Sequence, residues 1–210
     1  MLDTRFPRPI GDIGNPLTLD RLGIPARYRV VAGANPNVVV RQAAAGLAPA
    51  FRVASRSLAL EGARLIATSC GFLAMRQAAL QADVGIPVLT SSLLWLPRLD
   101  ANTAVLTIAP DALTAKHWQG AGASSATPCG GVLPGCEFQM RILNNHPTLD
   151  IQQAFADVVQ GALRLCEQYP ATSTIVLECS NMVPYADAVA QATGRRVEHI
   201  ISLIETVWKL

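Results

Sequence analysis

The chain has 210 residues, half of them hydrophobic and 15% charged, enough to bury a substantial core as one large domain or two small lobes and too apolar for long disordered tails. A net charge of +2, with Lys116 and Lys209 as the only lysines and no basic stripe, argues against nucleic acid and points to a small partner. No apolar run approaches the roughly 20 residues that cross a bilayer. Asp3, Arg5, Arg8 and Asp12 stand where a secretion leader would be apolar, and five cysteines is an odd count, so reduced thiols in a cytoplasmic protein are expected.

In chain order, Pro7 to Leu22 reads as a loop around Gly11-Asp12-Ile13-Gly14-Asn15-Pro16. Tyr28 to Ala34 is β-branched enough for a strand, and Val38 to Ala48 reads as an alanine-rich helix ended by Pro49. Phe51 to Ala54 is expected as a short strand, Ser57 to Gly62 as a helical turn, Leu65 to Ser69 as a strand and Phe72 to Ala82 as a helix. Pro87 to Thr90 reads as a strand with Ser91 and Ser92 just past its end. The pattern then restarts. Thr103 to Ile108 is a strand, Asp111 to Gln119 a helix with Asp111 at its start, and Gly120 to Pro134 mostly loop, with one strand near Thr127 to Val132. Leu149 to Tyr169 is the longest helical pattern, capped by Asp150 and stopped by Pro170. Thr174 to Leu177 is a strand, Val183 to Thr193 a helix ended by Gly194, Val197 to Ile200 a last strand and Ser202 to Trp208 a closing helix. Alternation of this kind predicts an α/β fold with parallel sheets built from βαβ units, in two halves, 1–100 and 101–210.

Two of the five cysteines share a setting. Cys70 follows the apolar run Leu65-Ile66-Ala67-Thr68-Ser69, and Cys179 follows Ile175-Val176-Leu177-Glu178. Each ends a strand and precedes a helix, which is where open α/β sheets bind ligands. Backbone N–H groups at such an edge lower a thiol's pKa from about 8.5 toward neutrality, so both cysteines are expected to be acidic. Other readings stand beside this one. A buried cysteine is often only packing, as expected of Cys166. Cys70 and Arg76 have the C-x₅-R spacing of cysteine phosphatases, although the intervening Gly71-Phe72-Leu73-Ala74-Met75 looks helical and leaves Cys179 idle. Cys129 and Cys136 flank a Gly/Pro-rich loop without a usual zinc spacing, and His146 is a poor third ligand. His117 is expected on a helix, bonded to a loop, and His199 on a strand edge. A non-catalytic protein that binds a small acid would need only one of the two cysteines.

Four stretches carry a resemblance. They are Gly11-Asp12-Ile13-Gly14-Asn15; Thr68-Ser69-Cys70-Gly71-Phe72-Leu73; Ala104-Val105-Leu106-Thr107 with Leu113-Thr114 and His117; and Leu177-Glu178-Cys179-Ser180-Asn181-Met182. In this order and spacing they resemble the aspartate/glutamate/hydantoin racemase superfamily, which also includes arylmalonate decarboxylases and maleate isomerases. The resemblance implies two pseudo-symmetric lobes, each a mostly parallel sheet flanked by helices, with the C-terminal helix able to pack back on the first lobe and the site in the cleft between them. It implies a PLP-independent isomerase without cofactor or metal, racemising a small α-substituted carboxylic acid of the amino-acid or hydantoin type. Cys70 and Cys179 would exchange protons with opposite faces of the α-carbon. Asp12, Asn15, Ser69, Gly71, Phe72, Thr107, Ser180 and Asn181 would bind substrate. A decarboxylase or cis–trans isomerase of the same superfamily is the alternative. Typical glutamate racemases follow the first cysteine with Asn-Thr and the second with Thr-His, where this chain has Gly71-Phe72 and Ser180-Asn181. Phe72 favours an apolar or larger substrate. Relatives are often dimers, but no interface signature is present in this sequence.

Overall fold

The computed structural model describes residues 1–210 and holds two parallel sheets flanked by helices. The larger sheet has four strands in the order β4-β3-β5-β6: β3 is Thr103–Thr107, β4 Cys129–Gly131, β5 Thr174–Leu177 and β6 Arg196–Glu198. The smaller pairs β1, Ile66–Ala67, with β2, Val88–Leu89. The central strands β3 and β5 are buried along their whole length and aligned Thr103 to Thr174 through Leu106 to Leu177. Covered on both faces, they are continuously apolar or β-branched rather than alternating. Their side chains still divide by parity. Ala104, Leu106, Ile175 and Leu177 enter one core with Phe138, Val158 and Leu165; Val105 and Val176 enter another with Leu93, Trp118 and Ile204.

The helices α5 (Glu137–Leu143), α6 (Ile151–Gln168) and α7 (Ala186–Thr193) pack together beside this sheet. Asp150 caps α6 by accepting from the N–H groups of Gln152 and Gln153, each at 3.0 Å. Gly194 ends α7 in the left-handed conformation that a side chain would strain. The last helix, α8 (Ile200–Trp208), lies against β2 and the 3₁₀ segment Ser92–Arg98. No helix is long and apolar enough to cross a membrane.

Several expectations change. Tyr28 to Ala34 forms no strand; it makes a single parallel bridge, Val31 with Leu2, and then turns at Ala32-Gly33, where the Ala34 N–H donates to the Val31 carbonyl at 3.1 Å. The segment expected as a helix from Val38 is a single wide turn, Asn37–Arg41, followed by Ala43 and Ala44 at positive φ. Pro49 opens a helix instead of closing one, because proline's missing N–H costs nothing in the first turn; α2 runs Ala48–Leu60 and absorbs Phe51 to Ala54, expected as a strand. Residues after both cysteines enter 3₁₀ segments, Gly71–Arg76 and Ser180–Tyr185, before α3 (Gln77–Ala82) and α7 begin. Asp111 lies in the short turn Pro110–Ala112 and does not start α4, which is Ala115–Gly120. Helix α5 has no counterpart among the expected elements, and α1 (Pro16–Asp20) forms inside the expected loop. His199 caps α8 by accepting from the Ser202 N–H at 3.1 Å, so it is not on a strand edge.

Candidate active site

Strand ends β1 and β5 bring the two cysteine loops together. The Ser180 hydroxyl donates to the Ser69 carbonyl at 2.7 Å, and the Ser92 hydroxyl donates to the Leu177 carbonyl at 2.6 Å, stitching the loop edges of the two sheets. Cys70 and Cys179 line one cavity of about 20 Å³, enough for a single water, with Ser69, Gly71, Phe72 and Asn181. Leu2, Phe6, Pro36, Val40, Ile142 and Leu143 cover it. This is a shut site. Asn145, in the left-handed conformation at φ 52°, latches the cover: its side-chain oxygen accepts from the Arg5 N–H at 2.7 Å.

Against the Cys70 loop sits a group to which the sequence pattern assigns no role. Glu178 is 1% exposed; its Oε2 accepts from the Thr107 hydroxyl at 2.7 Å, and its Oε1 has no partner. Gly71 lies so close that an added Cβ would collide with the Glu178 carbonyl and Oε1, so only glycine fits there. Burial pushes the Glu178 carboxyl up to about 7, despite the Thr107 bond that opposes the shift.

Burial and that carboxylate overturn the expected acidity of the thiols. Burial first, then the Glu178 charge, pushes Cys70 up to about 12; the Phe72 N–H and the Arg8 guanidinium oppose the rise without cancelling it. Cys179 is also driven well above an ordinary thiol, by burial first, then by Glu178 and Cys70; the Asn181 N–H acts the other way. The backbone donors are where a strand-end site should have them. Desolvation outweighs them.

A second chain of contacts fixes the Cys179 side. Asp12 is fully buried; its Oδ1 accepts from the Arg8 guanidinium at 2.6 Å and the Gly14 N–H at 2.7 Å. Its Oδ2 accepts from the Asn181 amide at 2.5 Å, which turns the Asn181 oxygen toward the Cys179 thiol, 3.7 Å away. Gly11, at φ 106°, lets the Asp12 loop lie directly against the Pro184 backbone. An Asn181 oxygen so aimed favours a protonated Cys179. The Arg8 charge eases ionisation of Cys70 slightly.

The remaining candidates fall elsewhere. Asn15 caps α1, accepting from the Leu17 N–H at 3.0 Å and donating to the Arg8 carbonyl at 2.8 Å. Thr107 faces Glu178 and does not line the cavity, and the Ser180 hydroxyl is committed to Ser69. His117 caps its own helix through Thr114, with Phe72 edge-on at 5.5 Å. Arg76 ends a helical segment and donates to the Ala43 carbonyl at 3.3 Å, so no phosphate loop forms between Cys70 and Arg76. All five cysteines are free, and no three His, Cys, Asp or Glu side chains gather as metal ligands. Glu178 and Arg8 are the site residues that sequence reasoning misses. A lone acid in the run Ile175-Val176-Leu177-Glu178 is the available signal.

No protein-family model matches the chain. A dimethylsulfoniopropionate lyase from Durusdinium sp. clade D is 28% identical over 212 aligned residues, spanning 92% of this chain and 67% of the relative. Among solved structures, a glycine-to-cysteine mutant of arylmalonate decarboxylase with associated sulfate superposes with a TM-score of 0.59, at 18% identity, over 93% of this chain and 84% of its own. A Yersinia pestis protein described as an Asp/Glu racemase superposes with a TM-score of 0.50, at 12% identity, over 85% of this chain and 81% of its own. The chain shares the fold of these two solved structures.

Proposed function

We propose that this chain, folded as two lobes of residues 1–100 and 101–210, is an enzyme that removes the proton α to the carboxylate of a small acid, with Cys70 as base and Cys179 as the facing acid. The observation that carries the reading is that both cysteines line one small cavity, within range of the buried carboxyls of Glu178 and Asp12. The carboxyls and the two thiols resist ionising together, so at most one thiol gives up its proton at a time, and the other then remains a thiol able to donate. Backbone N–H groups of Phe72 and Asn181 would meet the enediolate charge as it grows.

The fate of the deprotonated acid depends on its β-carbon. If that carbon carries a sulfonium group, as in dimethylsulfoniopropionate, the electron pair left on the α-carbon forms a C=C bond while the C–S bond breaks. The C–S electrons leave with sulfur, giving dimethyl sulfide and acrylate, and the proton stays on Cys70. If it carries no leaving group, Cys179 returns a proton to the opposite face and the acid racemises. Elimination is the reading we favour, because the lyase relative spans nearly the whole chain and because the unpartnered Glu178 Oε1 suits a cationic group. A sulfonium entering beside Glu178 would offset its charge and lower the Cys70 thiol from about 12 toward the working range. Racemisation, supported by the two facing cysteines, is the second reading.

The purified protein given dimethylsulfoniopropionate should release dimethyl sulfide and acrylate in equal amounts. Chiral 2-substituted acids in D₂O test the second reading: α-hydrogen exchange without loss of CO₂ marks a racemase, whereas CO₂ from a malonate marks a decarboxylase. Failure of all three would overturn the proposed chemistry.

A further inference from the structure

The cysteine cavity, about 20 Å³, holds one water and no acid of several carbons, so its cover must part before a substrate enters. That cover belongs to two bodies. Leu2, Phe6, Pro36 and Val40 come from the first. Within it the Asp3 N–H donates to the Ala34 carbonyl at 3.1 Å, and the Gly33 N–H donates to the Asp3 Oδ2, also at 3.1 Å. The Leu2 N–H donates to the Ser69 hydroxyl at 2.9 Å. The turn carrying Val40 is closed on itself: the Val39 N–H donates to the Asn35 carbonyl and the Ala44 N–H to the Val38 carbonyl, each at 3.0 Å.

Ile142 and Leu143 come from the second body, the end of α5. The Phe138 N–H donates to the Asp157 carboxylate at 2.9 Å, which fixes α5 to α6, and the Gln139 amide donates to the Ile108 carbonyl at 2.8 Å, just past β3. Past α5 the chain stays tightly turned, with the Asn145 N–H donating to the Ile142 carbonyl at 3.1 Å and the His146 N–H to the Arg141 carbonyl at 2.9 Å. Asn145 takes its left-handed conformation on this stiff turn, at a cost lower for asparagine than for most residues. From there its side chain reaches across. Its oxygen accepts from the Arg5 N–H at 2.7 Å, and its amide donates to the Asp3 carbonyl at 3.4 Å. These are the two hydrogen bonds that cross from one body to the other; the cover side chains themselves are apolar and offer no directional bond.

We propose that the entrance to the cysteine cavity is the seam between residues 2–6 and residues 142–145, with the Asn145 side chain as its latch, an assignment that rests on reading this cavity as the substrate's. Parting the seam breaks the two Asn145 bonds and briefly wets Leu2, Phe6, Ile142 and Leu143. Parting the cover elsewhere breaks the backbone bonds of residues 2, 3 and 39 or the two anchors of α5. Asn145 does not line the cavity, so it is a positioning residue that sets how often the site opens.

The test reads alkylation of each cysteine by iodoacetamide at pH 8, resolved by peptide mass spectrometry, in the parent, Asn145→Gly, Asn145→Asp and Asp3→Ala. Glycine keeps the left-handed backbone and removes both latch bonds, so Cys70 and Cys179 should react about tenfold faster, the effect of one good hydrogen bond on the open population. Aspartate keeps the acceptor for the Arg5 N–H and should react within about twofold of the parent. Asp3→Ala breaks only the Gly33 bond inside the first body and should also stay within about twofold. Cys129 and Cys166 do not line the cavity and should keep the parent's rates throughout. Equal acceleration at all four cysteines, unchanged rates in Asn145→Gly, or an Asp3→Ala effect as large as that of Asn145→Gly would overturn the proposal. Turnover plays no part in these rates: a protein inactive on every acid tried that still shows this pattern would count against the proposed reaction and leave the entrance standing.

Discussion

Glu178→Gln removes the buried charge while keeping its shape. In the folded protein the carboxyl holds its proton up to about pH 7, against 4.5 for an unburied group. That rise is equivalent to about 3 kcal/mol of differential stability. The folded pKa is the higher one, so this stability is fully present below about pH 4.5 and is lost as pH rises through 7. Between pH 5 and pH 8 the wild type should therefore lose about 2.5 kcal/mol that the glutamine variant keeps. Urea unfolding of both proteins at the two pH values measures the difference directly, because other titrating groups cancel in the comparison. The same variant frees the thiols from a neighbouring charge, so alkylation of Cys70 and Cys179 by iodoacetamide at pH 8 should become faster. Parallel stability–pH curves, or faster alkylation of the wild type, would refute the placement of Glu178 as a buried carboxylate governing both thiols.

Gly71→Ala drives a methyl into the Glu178 carbonyl and carboxyl, and should cost about 1–3 kcal/mol in urea unfolding. Asp12→Ala strands the Arg8 guanidinium, a tenth exposed, and frees the Asn181 amide; a loss of about 3 kcal/mol is expected in the same assay. Asn181→Ala removes the acceptor facing the Cys179 thiol and should lower kcat more than it changes KM, read from steady-state kinetics on the substrate found active.

The C-terminal half is the more legible. Strand β5 coincides with the run Thr174 to Leu177, and α6 starts at the Asp150 cap and stops short of Pro170. In each, the local pattern and the buried environment ask for the same residues. In the N-terminal half they diverge. Tyr28 to Ala34 has strand composition, but pairing rather than composition makes a strand, and Val31 alone makes a ladder bridge, to Leu2. Pro49 has the look of a stop, although proline suits a first turn as well as a break. The cysteine pair is visible because each follows its own apolar run. Glu178's significance is hidden because the residues that define it, Thr107 and Gly71, come from distant segments. The sign of the thiol shift escapes the sequence for a related reason: strand-end N–H donors are readable there, whereas the desolvation that overrides them is set by Leu2, Phe6, Val40 and Leu143 closing over the site.

The central claim is that Cys70 takes a proton from the α-carbon while Cys179 faces it. Its most direct measurement is turnover of dimethylsulfoniopropionate, with acrylate as the readout, by the wild type, Cys70→Ser and Cys179→Ser at matched circular dichroism. We expect steady acrylate release by the wild type, a fall of at least about 100-fold in Cys70→Ser, and a smaller fall in Cys179→Ser, whose thiol is not the base for elimination. A Cys70→Ser protein that turns over at the wild-type rate would contradict the account.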